Sequence, residues 1–155
     1  MFKKFISSLV VIASLTGCSA TGPKFTQTEA PEANKAKVYF YRPWAMLDGA
    51  AAPTVQINGV DSFNISNGGY HVLDLNPGNT IISVKEEGGI MSNWRSGPLQ
   101  IAFDAQANNT YFVRLTAELA NAAYVGGVSS ISGNYSLGLV NSETALQELH
   151  ETKKN

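Results

Sequence analysis

Few residues in this chain could do chemistry. There are two histidines, His71 and His150, and one cysteine, Cys18. In the run His71-Val72-Leu73-Asp74-Leu75, strand alternation puts His71 on the face of Leu73 and Leu75. Asp74 falls on the opposite face, so local geometry offers no His–Asp pair. The two histidines are also too far apart for a zinc spacing. No Gly-x-Ser-x-Gly elbow, Ser-x-x-Lys or His-Glu-x-x-His occurs. The glycine-rich run from Gly126 to Gly133 lacks the lysine of a phosphate loop and is expected to be a mobile connection. Glu86-Glu87 is expected to be a solvated turn rather than an acid–base pair. These patterns predict no catalytic residue, no metal, no cofactor and no enzyme activity. Cys18 stands apart. Lys3 and Lys4 precede a short apolar stretch from Phe5 to Leu15, and the cysteine follows at once. That stretch is too short to span a bilayer, which takes about 20 apolar residues, but it suits a signal segment. No later segment is long and apolar enough to predict a transmembrane helix.

Leu15-Thr16-Gly17-Cys18 resembles the bacterial lipobox, in which an aliphatic residue, two small residues and a cysteine close a signal peptide. The resemblance implies a thioether-linked diacylglycerol on Cys18, cleavage before Cys18 and acylation of the new amine. The residue types fit that chemistry, because a thiol forms a stable thioether and small residues admit a protease. Each buried CH2 adds about 0.8 kcal/mol of membrane affinity, so two or three chains anchor stably where one does not. Ser19 follows the cysteine, where aspartate would retain an enterobacterial lipoprotein at the inner membrane. Serine therefore implies the outer membrane, facing the periplasm.

These features divide the chain into a signal peptide (residues 1–17), a lipidated cysteine and flexible tether (18–35), and a folded domain (36–155). Cleavage would remove Lys3 and Lys4 and leave 138 residues with 9 basic and 12 acidic side chains, a net of about −3. A chain so poor in positive charge is not suited to nucleic acid. The Thr-, Ala- and Pro-rich stretch from Ser19 to Lys35 has no helix or strand periodicity. As a free coil it would lift the domain roughly 20–25 Å off the headgroups.

The remainder is patterned as short strands. The 13 Asn and 14 Gly favour tight turns between them. Alternation or β-branched density predicts strands over 37–42, 54–57, 60–65, 70–75, 80–85, 99–104, 111–116 and 136–140. Asn58-Gly59 predicts one tight hairpin, and Asn76-Pro77-Gly78-Asn79 predicts another. Ser142 is expected to cap a terminal helix, with Glu143 in its first turn and Ala145, Leu146 and Leu149 on its apolar side. The expected fold is a single antiparallel β-sandwich of seven or eight strands with a C-terminal helix. Arg42 shares a strand face with Val38 and Phe40. A buried guanidinium there would need carboxylate or carbonyl partners and would pin the strand end.

The run Ala36-Lys37-Val38-Tyr39-Phe40-Tyr41-Arg42-Pro43 resembles the opening strand of a family of small bacterial lipoproteins with a domain of unknown function. The resemblance extends over roughly Lys35 to Leu149 and implies a fold and a location, with no activity to carry over.

Large apolar residues outside the strands supply candidate binding loops: Trp44, Met46, Trp94, Tyr124 and Tyr135. They could grip a partner or fold back to plug the open end of the core. The expected function is therefore a non-enzymatic envelope lipoprotein. It would be held to membrane lipid through acyl chains on Cys18 and would contact another envelope protein. The alternative is a module for a small molecule or cell-wall glycan, which would need Trp94, Tyr124 and Tyr135 to line one pocket.

Overall fold

The computed structural model describes residues 19–85, 94 and 96–155. Leu15, Thr16, Gly17 and Cys18 lie outside the described residues, as do Glu86 and Glu87. The fold is a β-sandwich with a C-terminal helix. β1 (Ala36–Arg42), β4 (Gly69–Leu75), β7 (Thr110–Val125), β8 (Val128–Leu139) and the short β9 (Lys153–Lys154) form one sheet, in the order β8-β7-β1-β4-β9. β2 (Thr54–Ile57), β3 (Val60–Asn64), β5 (Gly78–Val84) and β6 (Leu99–Ala105) form the second, in the order β3-β2-β5-β6.

Every residue of β1 is buried, which explains its near-continuous apolar sequence. Val38 and Phe40 face the second sheet and pack with Val55, Ile82 and Val113. Tyr39 and Tyr41 face the other way, where α1 (Ser142–Leu149) covers them with Ala145 and Leu149. The helix is capped by Asn141, not Ser142: the Asn141 side chain accepts from the Thr144 amide at 2.9 Å. Glu143 lies in the first turn, as expected from the dipole.

Three features depart from the pattern-based expectation. First, the sandwich is not wholly antiparallel, because β1 runs parallel to β7 and β4 parallel to β9. The chain between β1 and β7 supplies all of the second sheet, so β7 returns as a crossover strand. Second, Asn76-Pro77-Gly78-Asn79 does not join a hairpin. β4 and β5 belong to different sheets, so this turn is a corner between layers. Third, β7 and β8 are far longer than predicted. Gly126 and Gly127, both with positive φ, make the two-residue turn of a long hairpin that includes most of the expected mobile connection.

The segment expected to be a slack tether is docked at its start. Ser19 bridges Asn67, and the Ala20 amide donates to the Asn67 carbonyl at 3.1 Å. The Gly22 amide donates to the Lys154 carbonyl, and the Phe25 amide to the Thr152 carbonyl, each at 3.1 Å. Phe25 is buried edge-on against Tyr39 and Tyr70, with ring centroids 5.8 and 5.5 Å away. Gly22 permits the close approach, since a Cβ there would sit 2.4 Å from the Lys154 carbonyl oxygen. Apolar burial of Phe25 and the C-terminal strand hold what composition alone leaves free.

Phe25→Ala should therefore destabilise the domain by about 3 kcal/mol. Urea unfolding of the protein measures this, and an unchanged midpoint would show that the segment contributes nothing.

Candidate functional site

Two groups of residues meet at the end of the sandwich where β1 stops. One is buried and polar. Proline cannot donate to a ladder, so Pro43 ends β1 and turns the chain into the loop over residues 43–53. Arg42, the last strand residue, points inward and is fully buried. Its Nη1 donates to the Ala51 carbonyl at 2.6 Å and to the Ile65 carbonyl at 3.5 Å, and its Nη2 donates to the Asp48 carbonyl at 2.8 Å. The guanidinium lies 5.1 Å from the centroid of the Trp94 ring, a cation–π distance. Trp94 meets Tyr135 edge-on at 5.2 Å, and the Tyr135 hydroxyl donates to Asp48 Oδ2 at 2.8 Å. Burial pushes the Arg42 pKa down from its usual value, and the nearby Asp48 opposes that shift. Arg42 is thus the predicted strand-end pin, with backbone carbonyls as its direct partners.

The other group is exposed and apolar. Trp44 and Met46 are 66% and 79% exposed. Asn67 positions the residue between them. The Ala45 amide donates to Asn67 Oδ1 at 2.9 Å, and Asn67 Nδ2 donates to the Ala45 carbonyl at 2.8 Å. Through its own carbonyl, Asn67 also receives the Ala20 amide. One buried residue, through its side chain and its backbone, therefore ties the start of the described chain to the Trp44–Met46 loop. Beyond Ala117 the β7–β8 hairpin continues the inner face of its sheet into solvent. Met46, Leu47, Asp48, Leu119, Ala122 and Ile131 line a cleft of about 260 Å³ there. Leu47 lies over Gly133, where a Cβ would collide with it.

The five candidate loop residues therefore separate. Trp44, Met46 and Tyr124 are exposed. Trp94 is only 3% exposed and Tyr135 is partly buried, so these two plug the core rather than offer a binding face. Tyr124 pairs with Ser129, whereas Tyr135 pairs with Ala117. Those positions lie six residues apart along β8, roughly 20 Å. Trp94, Tyr124 and Tyr135 do not line one pocket. Asp48, Asn67 and the exposed Leu119 and Ile131 were not singled out from sequence. The one available signal was the lack of any charged residue from Leu119 to Gly133.

His71 lies at the core edge, stacked on Phe63 at 4.1 Å. Burial, with Lys154 nearby, lowers its pKa. Among the described residues, no group of three or more His, Cys, Asp or Glu side chains is arranged to hold a metal ion. None of the helices described is long and apolar enough to cross a membrane.

A family model described as "Protein of unknown function (DUF2846)" matches residues 32–128, from just before β1 to the start of β8. No curated protein matches the chain.

Arg42→Met would take its donor from the buried Ala51 carbonyl and leave the Asp48 carbonyl with the Ala51 amide alone. It should destabilise the domain by about 3 kcal/mol, whereas the exposed Trp44→Ala should change stability by less than about 0.5 kcal/mol. Denaturant unfolding of the two variants beside the native chain separates pin from surface. Equal midpoints for Arg42→Met and the native chain would contradict the pin.

Proposed function

We propose that this chain, which belongs to the DUF2846 family of proteins of unknown function, is a non-enzymatic lipoprotein of the bacterial cell envelope. Its β-sandwich is held to a membrane through acyl chains on Cys18 and presents itself to another envelope component. The observation that carries this proposal is the lone cysteine at the end of Leu15-Thr16-Gly17-Cys18, behind a basic and apolar leader. A thiol is the best nucleophile the chain offers for a stable thioether, and this one stands where a signal segment ends. The outer membrane, facing the periplasm, is the proposed location because serine rather than aspartate follows the cysteine.

Two structural facts fit such an anchor. Ser19, the first described residue, is exposed at the surface of the domain, so lipid at the preceding position would not disturb the core. The Ala20 amide, one residue further on, is bonded to the Asn67 carbonyl, so an anchor would join the domain at a fixed place.

Mass spectrometry of the chain purified from envelope membranes is the test. It should find a mature protein beginning at Cys18 and heavier than its peptide mass by two or three acyl chains. Cys18→Ala should leave an uncut precursor of 155 residues without added lipid. A mature chain that begins elsewhere, or carries no lipid, would refute the proposal.

A further inference from the structure

We infer that the end of the sandwich bearing Trp44, Met46 and the β7–β8 hairpin rests on the surface of a phospholipid bilayer. This inference rests on the proposed acylation of Cys18 and goes beyond it by assigning the face that meets the lipid.

Strand direction puts the parts together. β1 ends at Arg42, opposite Gly69 at the start of β4. β7 runs parallel to β1, with Tyr41 beside Arg114, so the continuation of β7 past Arg114 leaves from that same end. Ser19 is fixed there too, through Asn67. Ser19, Trp44, Gly68 and Lys153 line one shallow hollow of about 140 Å³. An anchor joined to Ser19 therefore leaves the domain beside Trp44, with no slack between them. The expected 20–25 Å stand-off requires a free coil, and the hydrogen bonds of Ala20, Gly22 and Phe25 remove that freedom.

Apart from Arg114, Glu118 and Glu148 in a hollow beside Trp44, the residues at this end match the chemistry of a bilayer surface. Trp44 and Tyr124 are amphipathic rings of the kind that settle at headgroup level. Met46, Leu119 and Ile131 lie around one cleft and are mostly exposed, although water disfavours such a patch on a free domain. The hairpin carries no charge from Leu119 to Gly133, so its tip can approach acyl chains without desolvating an ion. Lys153 and Lys154 are exposed near Ser19, where anionic headgroups would attract them; Glu151 lies beside Lys153. A protein partner could cover apolar residues equally well. It would not explain why the uncharged hairpin and the exposed tryptophan lie where the anchor departs.

The molecule carries its own reporters, Trp44 exposed and Trp94 buried. The acylated chain would be reconstituted into phosphatidylethanolamine–phosphatidylglycerol vesicles with or without bromine in the acyl chains. Brominated lipid should quench the native protein by about half and barely affect Trp44→Phe, because an interfacial ring meets the bromines and a core ring does not. On the Trp44→Phe background, Tyr124→Trp should restore the quenching. Equal quenching of the native chain and Trp44→Phe, with Trp44 open to aqueous iodide, would overturn the inference. Shielding of Trp44 from both quenchers would also overturn it, in favour of a second copy or a protein cover. Intact mass of the same sample keeps the two proposals apart. An unacylated chain would refute the anchor and this orientation together, whereas an acylated chain without selective quenching would refute the orientation alone.

Discussion

A guanidinium taken out of water must find oxygens, and Arg42 finds them on the backbone of other segments. Its carbonyl partners belong to Asp48, Ala51 and Ile65, so one side chain fixes both the loop that follows β1 and the turn that precedes β4. Removing a charge from water carries a penalty of several kcal/mol, which only well-placed partners offset. The loop over residues 43–53 therefore has little freedom once Arg42 is buried. Trp94 and Tyr135 close the same end from above, and Asp48 joins the group through the Tyr135 hydroxyl. With the polar residues turned inward, Trp44 and Met46 are left outside.

A second constraint extends this end to the start of the chain. Asn67 uses its side-chain amide on both backbone groups of Ala45 and its own carbonyl on Ala20. A single buried residue thus couples the exposed loop to the segment that begins at Ser19. Phe25 and the β9 contacts then seat the rest of that segment on the sheet and beside the helix. Local packing in this way decides where an N-terminal anchor would hold the domain. The linker's composition does not.

Much of this was legible in sequence because burial writes strong patterns. The strand over Ala36–Arg42, the Asn58-Gly59 hairpin and the terminal helix all follow from periodicity and turn chemistry. The buried Arg42 was legible too, because alternation places it on the face of Val38 and Phe40. Other features depend on contacts distant in the chain. The Pro-Gly turn at residues 77–78 serves a corner as readily as a hairpin, and only sheet membership distinguishes them. The second half of β7 and the first half of β8 are rich in Ala, Asn, Ser and Gly, which strand propensity does not favour. Their pairing comes from a long register that passes through the core at Leu115 and Leu137. Docking of Phe25 was hidden because its partners Tyr39 and Tyr70 lie on strands whose outer face cannot be assigned from sequence. Trp44 and Trp94 look alike as loop aromatics, and only the fold shows one outside and the other against Arg42.

The central claim is that the chain from Ser19 to Phe25 is part of the folded domain, so that the proposed anchor would leave from the end bearing Trp44. Amide hydrogen exchange of the protein tests it most directly. The amides of Ala20, Gly22 and Phe25, each bonded to a carbonyl of the domain, should exchange at least about a hundredfold more slowly than in a free peptide. Exchange of all three at the free-peptide rate would mean a slack tether, and would contradict the account.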